Sequence, residues 1–235
     1  MRYIQKGEEP AYMSEWKELR KSCGQKLVYK EFDQKAQLNK DLRKEQHNIC
    51  CYCQRVIDHY QMESGKIATA AHNEHLYPEN VKNDPKSEEL QMDYGNIFAC
   101  CVDSRGYSKR EKHLRHCGES KENQIIPSLI KQPDCADYFH YALTGKIEVD
   151  SSLEGKNIEV VARCIDVLNL NCPTLVDDRK ICMDGALLVY GKKSLQDLER
   201  IREQLLASAS YPAYIELRLQ VIDHLIKTRL ENDRE

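Results

Sequence analysis

An α+β fold, with a small β-β-α core between helical flanks, is what three observations in this sequence predict. Cysteines and a histidine gather in one region: Cys50, Cys51 and Cys53, then Glu74-His75 with Pro78, then Asn96 with Cys100 and Cys101, then His116-Cys117. Apolar residues recur at helical spacing before that region, around Leu38 and Leu42, and again from about residue 156 onward. Between them, residues 49–125 are turn-rich and poor in long periodic runs, as expected where metal ligation replaces part of a hydrophobic core.

The elements follow in order. Residues 13–22 and about 30–47 read as helices, the second carrying Ala36, Leu38 and Leu42 and closing at His47-Asn48. Residues 54–59 suit one strand, and 66–73 another that leads into Glu74-His75. The polar, proline-punctuated stretch 78–89 reads as a loop. Residues 138–143 and 146–149 flank Thr144-Gly145 as a β-hairpin. Three apolar helical faces come next: Ile158, Val161, Ile165 and Leu168; Leu195, Leu198, Ile201, Leu205 and Leu206; and Ile215, Leu219, Ile222 and Ile226. Ser194 with Asp197 marks a helix start, and Pro212 suits a first helical turn. Gly185 to Ser194 has one residue too many between its glycines for a phosphate-binding loop and reads as a helix end and turn. The segments are therefore 1–46, 47–131 and 132–235, the middle one holding the chemistry.

Composition narrows the class. Charged residues make up 31% of the 235, and the longest apolar runs, such as Ala186 to Tyr190, are far too short to span a bilayer. No apolar stretch follows Met1, so no secretory signal is expected. Eleven cysteines in such a chain predict reduced thiols in the cytoplasm, some of them on metal, rather than a disulfide scaffold. The net charge of −3 gives no support for nucleic-acid binding by itself. Residues 1–131 carry 22 Lys+Arg against 20 Asp+Glu, and residues 132–235 carry 13 against 18. Within the first part Arg105, Lys109, Arg110, Lys112, Arg115 and Lys121 cluster, a pattern that could meet phosphates, although charge alone favours a solvated loop.

A Cys-x2-Cys turn brings two thiolates to one ion, and tetrahedral zinc then needs two further soft ligands. Cys50 and Cys53 have that spacing, whereas Cys51 and Cys53 do not. Cys101 and Cys117 supply the second pair, with Cys100 competing for the place of Cys101. Buried free thiols are the alternative. Glu74-His75 is the catalytic candidate: a histidine can take the proton of an attacking water while a carboxylate holds a divalent ion. As strand neighbours the two point to opposite faces and can serve different partners. A surface dipeptide is the plainer reading, and His72 with His75 could instead serve zinc. Asn96 can bridge loop backbone groups and pin the histidine loop, or simply end a turn after Gly95.

These parts, taken in order, resemble one family. The opening Tyr3-Ile4-x-Lys6-Gly7-x-x-Pro10, Cys50-x-Tyr52-Cys53, Glu74-His75-x-x-Pro78, Asn96-x-Phe98-x-Cys100-Cys101 and His116-Cys117-Gly118-x-x-Lys121 are followed by the hairpin Gly145. Leu168-Asn169-Leu170-Asn171-x-x-x-Leu175-x-x-x-Arg179 completes the series. Over about residues 1–185 the chain resembles the PtuB family of HNH endonucleases of Septu and retron-associated anti-phage systems. The resemblance implies a zinc-braced ββα-metal (HNH) core and DNA hydrolysis beside a PtuA-type ATPase of the ABC/SMC kind. In retron-associated members a reverse transcriptase and its DNA–RNA product are further partners. It implies His75 as general base, Glu74 as ligand of catalytic Mg²⁺ or Mn²⁺, Asn96 as the supporting asparagine, and Cys50, Cys53, Cys101 and Cys117 as zinc ligands. Arg110, Lys112, Arg115 and Lys121 would meet DNA. The chain departs from the wider HNH pattern at Gly118, where a histidine or asparagine usually follows the last cysteine. His116, Glu119 or Asn123 is then expected to replace it. A non-catalytic zinc-containing nucleic-acid-binding or adaptor subunit is the competing function.

Overall fold

The computed structural model describes residues 1–61, 67–69, 71–102 and 111–232. Pro10, which lacks an amide hydrogen to leave unsatisfied, precedes a stretch free of β-branched residues, and the chain enters α1 there (Ala11–Ser22). The helix expected over 30–47 is shorter. Phe32 is buried in extended conformation after a single turn at Tyr29–Glu31, so α2 runs only from Lys35 to Glu45. Its buried face, Leu38, Asn39, Leu42 and Arg43, follows the spacing that puts residues four apart on one side.

Residues 54–58 do not form the expected strand. They close the cysteine turn instead, with a single bridge from Val56 to Ile49 and hydrogen bonds from Cys50 N to Arg55 O (2.8 Å) and from Ile57 N to Asn48 O (2.9 Å). Strand β1 (His59–Gln61) follows and pairs antiparallel with β2 (Ile67–Thr69). The central hairpin is β3 (Ala71–His75) against β4 (Ile97–Cys101), also antiparallel. Its register sets His72 opposite Cys100, Glu74 opposite Phe98 and His75 opposite Ile97. A helix, α3 (Pro85–Leu90), lies inside the stretch expected to be a loop. Asp84 caps it by accepting from Lys86 N at 3.0 Å, and Pro85 occupies its first turn, a start signal present in the sequence. Helix α4 is one short turn, Gly118–Lys121.

The expected hairpin forms as β5 (Phe139–Tyr141) with β6 (Ile147–Val149). Gly145 turns it at φ +85°, where a side chain would also collide with the backbone of Val176. Four helices follow: α5 (Lys156–Val167), α6 (Pro173–Tyr190), α7 (Leu195–Leu206) and α8 (Ile215–Asn232). Ser194 caps α7 as its sequence suggests, whereas Pro212 lies ahead of α8 rather than in its first turn. One hydrophobic cluster draws on all three segments, including Phe32, Leu38, Phe98, Cys117, Leu168 and Leu217. Among the described residues no helix is long and apolar enough to cross a membrane.

Polar pins tie the C-terminal helices to this core. Asn171 accepts from Ile147 N and donates to Ile147 O, both at 2.9 Å. The buried Arg179 donates to Gly145 O (2.7 Å) and Leu170 O (2.6 Å). Asn169 donates to His113 O and Arg115 O, and Cys117 N donates to Leu168 O, which fixes the segment entering Cys117. The Leu168-to-Arg179 motif is thus a set of backbone clamps. Arg179→Ala would leave two buried carbonyls without their donor, and we expect a loss of roughly 2–5 kcal/mol. It would be measured as a lower denaturant midpoint; an unchanged midpoint would refute the clamp.

Candidate metal centre and active site

The cysteine turn is wound tightly enough to place Gln54 in the left-handed region (φ +64°), and Gln54 N donates back to Cys50 O. Cys51 N donates to Ala99 O, docking the turn on β4. Cys50, Cys53, Cys100, Cys101, Cys117 and His116, all buried, converge there. Their donor atoms fall into two overlapping groups: Cys50, Cys100, Cys101 and Cys117, and Cys53, Cys101, His116 and Cys117. Cys101 and Cys117 are common to both groups, Cys100 and His116 each complete one of them, and Cys50 and Cys53 fall in different groups, so the expected foursome is not itself one of the two.

The sulfur spacing fits a tetrahedral ion. Cys50 Sγ lies 3.8 Å from Cys100 Sγ and 3.9 Å from Cys117 Sγ, and Cys53 Sγ lies 3.7 Å from Cys101 Sγ. Zinc–sulfur bonds of about 2.3 Å in a tetrahedron require sulfurs about 3.8 Å apart. Backbone amides also point at sulfur, Cys101 N to Cys50 Sγ and Gly118 N to Cys100 Sγ, each at 3.4 Å. Burial pushes the Cys53, Cys100 and Cys117 thiols well up. Against its own burial, hydrogen bonds from Cys100, Cys101 and Cys117 hold Cys50 well down. Such a crowd of sulfurs can ionise together only around a cation.

His116 has a different task from the sulfurs. Arg55 Nη1 lies 3.1 Å from His116 Nε2, and a guanidinium can only donate, so Nε2 carries the lone pair. The proton then sits on Nδ1, 3.2 Å from Cys117 Sγ and 3.7 Å from Cys101 Sγ. His116 thus donates to the thiolates, while Arg55 is itself anchored by Asp178 and Tyr214.

On β3 the two catalytic candidates face opposite ways. His75 is buried, its Nε2 is 2.9 Å from Gln91 O, and Tyr29 stands edge-on with ring centroids 4.5 Å apart. A carbonyl can only accept, so Nε2 bears the proton and Nδ1 keeps its lone pair, 4.0 Å from the Glu79 carboxylate. Burial, outweighing the Gln91 hydrogen bond and the nearby glutamates, lowers His75 below its ordinary value and keeps the ring neutral. Asn96 accepts from Tyr77 N at 2.7 Å and donates to Tyr77 O (2.9 Å) and Leu90 O (3.1 Å). It spans both strands of the loop that holds His75, the bridging task its residue type suggests.

Glu74 faces inward to Lys121 Nζ at 2.9 Å, His72 Nε2 at 3.2 Å and the Tyr52 hydroxyl at 3.3 Å. Burial alone would raise its carboxyl, but the His72 hydrogen bond and the Lys121 ammonium hold it below the ordinary value. Lys121 is only 1% exposed, so it serves Glu74 from the interior and not as a surface cation. Arg115 is half-buried and pairs with Glu122 at 3.7 Å. Arg105, Lys109, Arg110 and the side chain of Lys112 lie outside the described residues. Of the expected last ligands, His116 is drawn to the sulfurs and Asn123 is exposed; Glu119 is half-buried. Sequence reasoning gave no role beside Glu74 to His72, Tyr52 or Lys121; the spacing of His72 two residues before Glu74 on a strand was the available signal.

Fold and site together define a mixed α/β chain with small sheets and a buried Cys/His cluster that could bind a metal ion. No family model matches the chain. It is 24% identical over 135 residues to a protein of Vibrio cholerae serotype O1 biovar El Tor named "Retron Vc95 putative HNH endonuclease". The match covers 57% of this chain and 58% of that protein.

We expect about one zinc per chain by metal analysis of purified protein, because the sulfurs are too close to stay buried and ionised alone. Cys53→Ser should lose it and fold poorly. Full zinc retention in the Cys50→Ser/Cys53→Ser double variant would overturn the assignment.

Proposed function

We propose that this chain is a zinc-braced HNH endonuclease of the PtuB kind, hydrolysing DNA phosphodiester bonds in the cytoplasm with a divalent ion and a histidine base. The observation that carries the reading is the state of His75: neutral through burial, its tautomer set by Gln91 O, and its loop fixed by Asn96. The name of the Vibrio cholerae relative supports the same activity.

In this mechanism His75 Nδ1 accepts the proton of a water as its oxygen attacks phosphorus in line. Asn96 keeps the imidazole in place by fixing both Tyr77 and Leu90, so little reorganisation is needed at the reaction. Glu74, oriented by Lys121 and Tyr52, would hold Mg²⁺ or Mn²⁺, which when bound supplies charge stabilisation at the leaving oxygen. Since Glu74 and His75 leave β3 on opposite faces, the phosphate that meets both would lie past the strand end at His75. Cys50, Cys53, Cys101 and Cys117, with Cys100 beside them, would hold zinc as a brace with no part in the chemistry. Arg110, Lys112 and Arg115 remain the proposed phosphate contacts.

His75→Ala should lower nicking of supercoiled DNA with Mg²⁺ or Mn²⁺ by on the order of 10²–10⁴-fold, the value of a positioned base, with zinc content unchanged. Wild-type cleavage by this variant would remove the mechanism. The competing reading, a non-catalytic adaptor, rests on the Glu74–Lys121 pair, which already neutralises the carboxylate. It forecasts DNA binding without metal-dependent nicking.

The partner we propose is a PtuA-type ATPase, with a retron reverse transcriptase and its DNA–RNA product in a retron setting. Helix α6 supports a protein contact, since Ile181, Leu188 and Val189 are 72%, 67% and 54% exposed. Ile181→Asp/Leu188→Asp should keep fold and zinc but lose co-purification with the ATPase. Undiminished co-purification would exclude this face.

A further inference from the structure

The surroundings of Glu74 are unequal on its two oxygens. Oε1 is taken by Lys121 Nζ (2.9 Å) and the Tyr52 hydroxyl (3.3 Å). Oε2 faces only His72 Nε2 among the hydrogen bonds of the carboxylate, at 3.2 Å. The two side chains share a face because they are two residues apart on β3. His72 is one-third exposed and Glu74 nearly closed off, so the pair opens to solvent on the His72 side.

Gly118, at the start of α4, borders this pair. A Cβ there would stand well inside contact distance of Glu74 Oε2 and 2.9 Å from His72 Nε2. The backbone of Gly118 is not in the left-handed region, so conformation does not demand glycine; space does. The position that lacks a side chain is therefore the one where a side chain would displace two potential donor atoms. An imidazole nitrogen and a carboxylate oxygen 3.2 Å apart, joined here by a hydrogen bond, have the spacing of neighbouring ligands on one small divalent ion once the imidazole proton sits on Nδ1 instead of Nε2.

We infer that His72 Nε2 and Glu74 Oε2 form the seat of a first-row divalent cation, with Gly118 vacant so that the histidine of β3 supplies the second protein ligand. This inference rests on the nuclease reading for the use of the ion but not for its binding. With only two protein ligands and the Lys121 ammonium on the far oxygen, the seat is weak and water-rich. The imidazole makes it prefer Mn²⁺ over Mg²⁺. Lys121 keeps the carboxylate turned so that Oε2, not Oε1, meets the ion.

The test uses full-length protein purified with its zinc in place, titrated with Mn²⁺ and followed by calorimetry and pulsed electron paramagnetic resonance. Wild type should bind one Mn²⁺ with nitrogen coupling from one imidazole. His72→Ala should lose that coupling and weaken Mn²⁺ binding by about tenfold or more, since even an outer-sphere partner of a metal is worth that much. His72→Gln, which can keep a hydrogen bond to Glu74, should lose the coupling too. His75→Ala should retain it, because His75 faces the other way. Zinc content checks the fold of each variant. Nitrogen coupling that survives His72→Ala, or a wild type that binds no Mn²⁺, overturns the seat. DNA nicking measured in parallel separates the two ideas. A wild type with the coupling but no nicking keeps the seat and sinks the nuclease, and nicking with coupling retained in His72→Ala sinks the seat alone.

Discussion

The packing of five cysteine sulfurs and one imidazole into a single buried site is the constraint from which the central architecture follows. The sulfurs arrive on three pieces of chain: the turn of residues 50–53, the end of β4, and the residue before α4. Bringing Cys50 to 3.8 Å from Cys100 and Cys53 to 3.7 Å from Cys101 fixes the turn against β4, and the register fixes β4 against β3. Cys117 adopts φ +58° to reach the cluster, a conformation that costs a non-glycine residue of order 1–3 kcal/mol. A metal held by these sulfurs would offset that strain, since metal binding contributes directly to the folding free energy.

The same cluster positions the polar groups around Glu74. Gly118 N donates to Cys100 Sγ, which starts α4 in the place from which Lys121 reaches Glu74. A buried ion pair of this kind adds little net stability, because desolvation offsets most of the attraction. Its use here is orientation: the ammonium fixes one carboxylate oxygen and leaves the other to His72. On the opposite face of β3, His75 ends the strand, and the connection that follows is ordered because Asn96 satisfies backbone groups at both Tyr77 and Leu90. Asn169, Asn171 and Arg179 do the same for the junction with the C-terminal helices. Carboxamides and a guanidinium thus replace the ladder hydrogen bonds that short strands cannot supply.

Local patterns in the sequence determined a good deal. Helix α1, the hairpin at Gly145, the Ser194 cap and the amphipathic α5 and α7 follow from periodicity and turn chemistry, which act over a few residues. The tight turn at residues 50–53 and the bridging role of Asn96 were legible for the same reason, each being a short motif with its own geometry. The misplaced strand at 54–59 and the missed α3 mark where local signals competed. Closing the cysteine turn uses the backbone groups that a strand would need, and an Asp-Pro start lay within a polar stretch.

Contacts between distant segments were decided only by the tertiary structure. Whether Cys100 joins Cys101 at the cluster depends on the register of β4, and the proton position on His116 depends on Arg55, sixty-one residues away. Lys121 reads as a surface cation in the sequence because nothing nearby predicts that α4 will fold back on β3. Gly118 reads as a missing ligand until His72 is seen in the space its side chain would need. Charge and donor type are properties of a residue, whereas burial, tautomer and partner are properties of the packing around it, and the site is made of the latter.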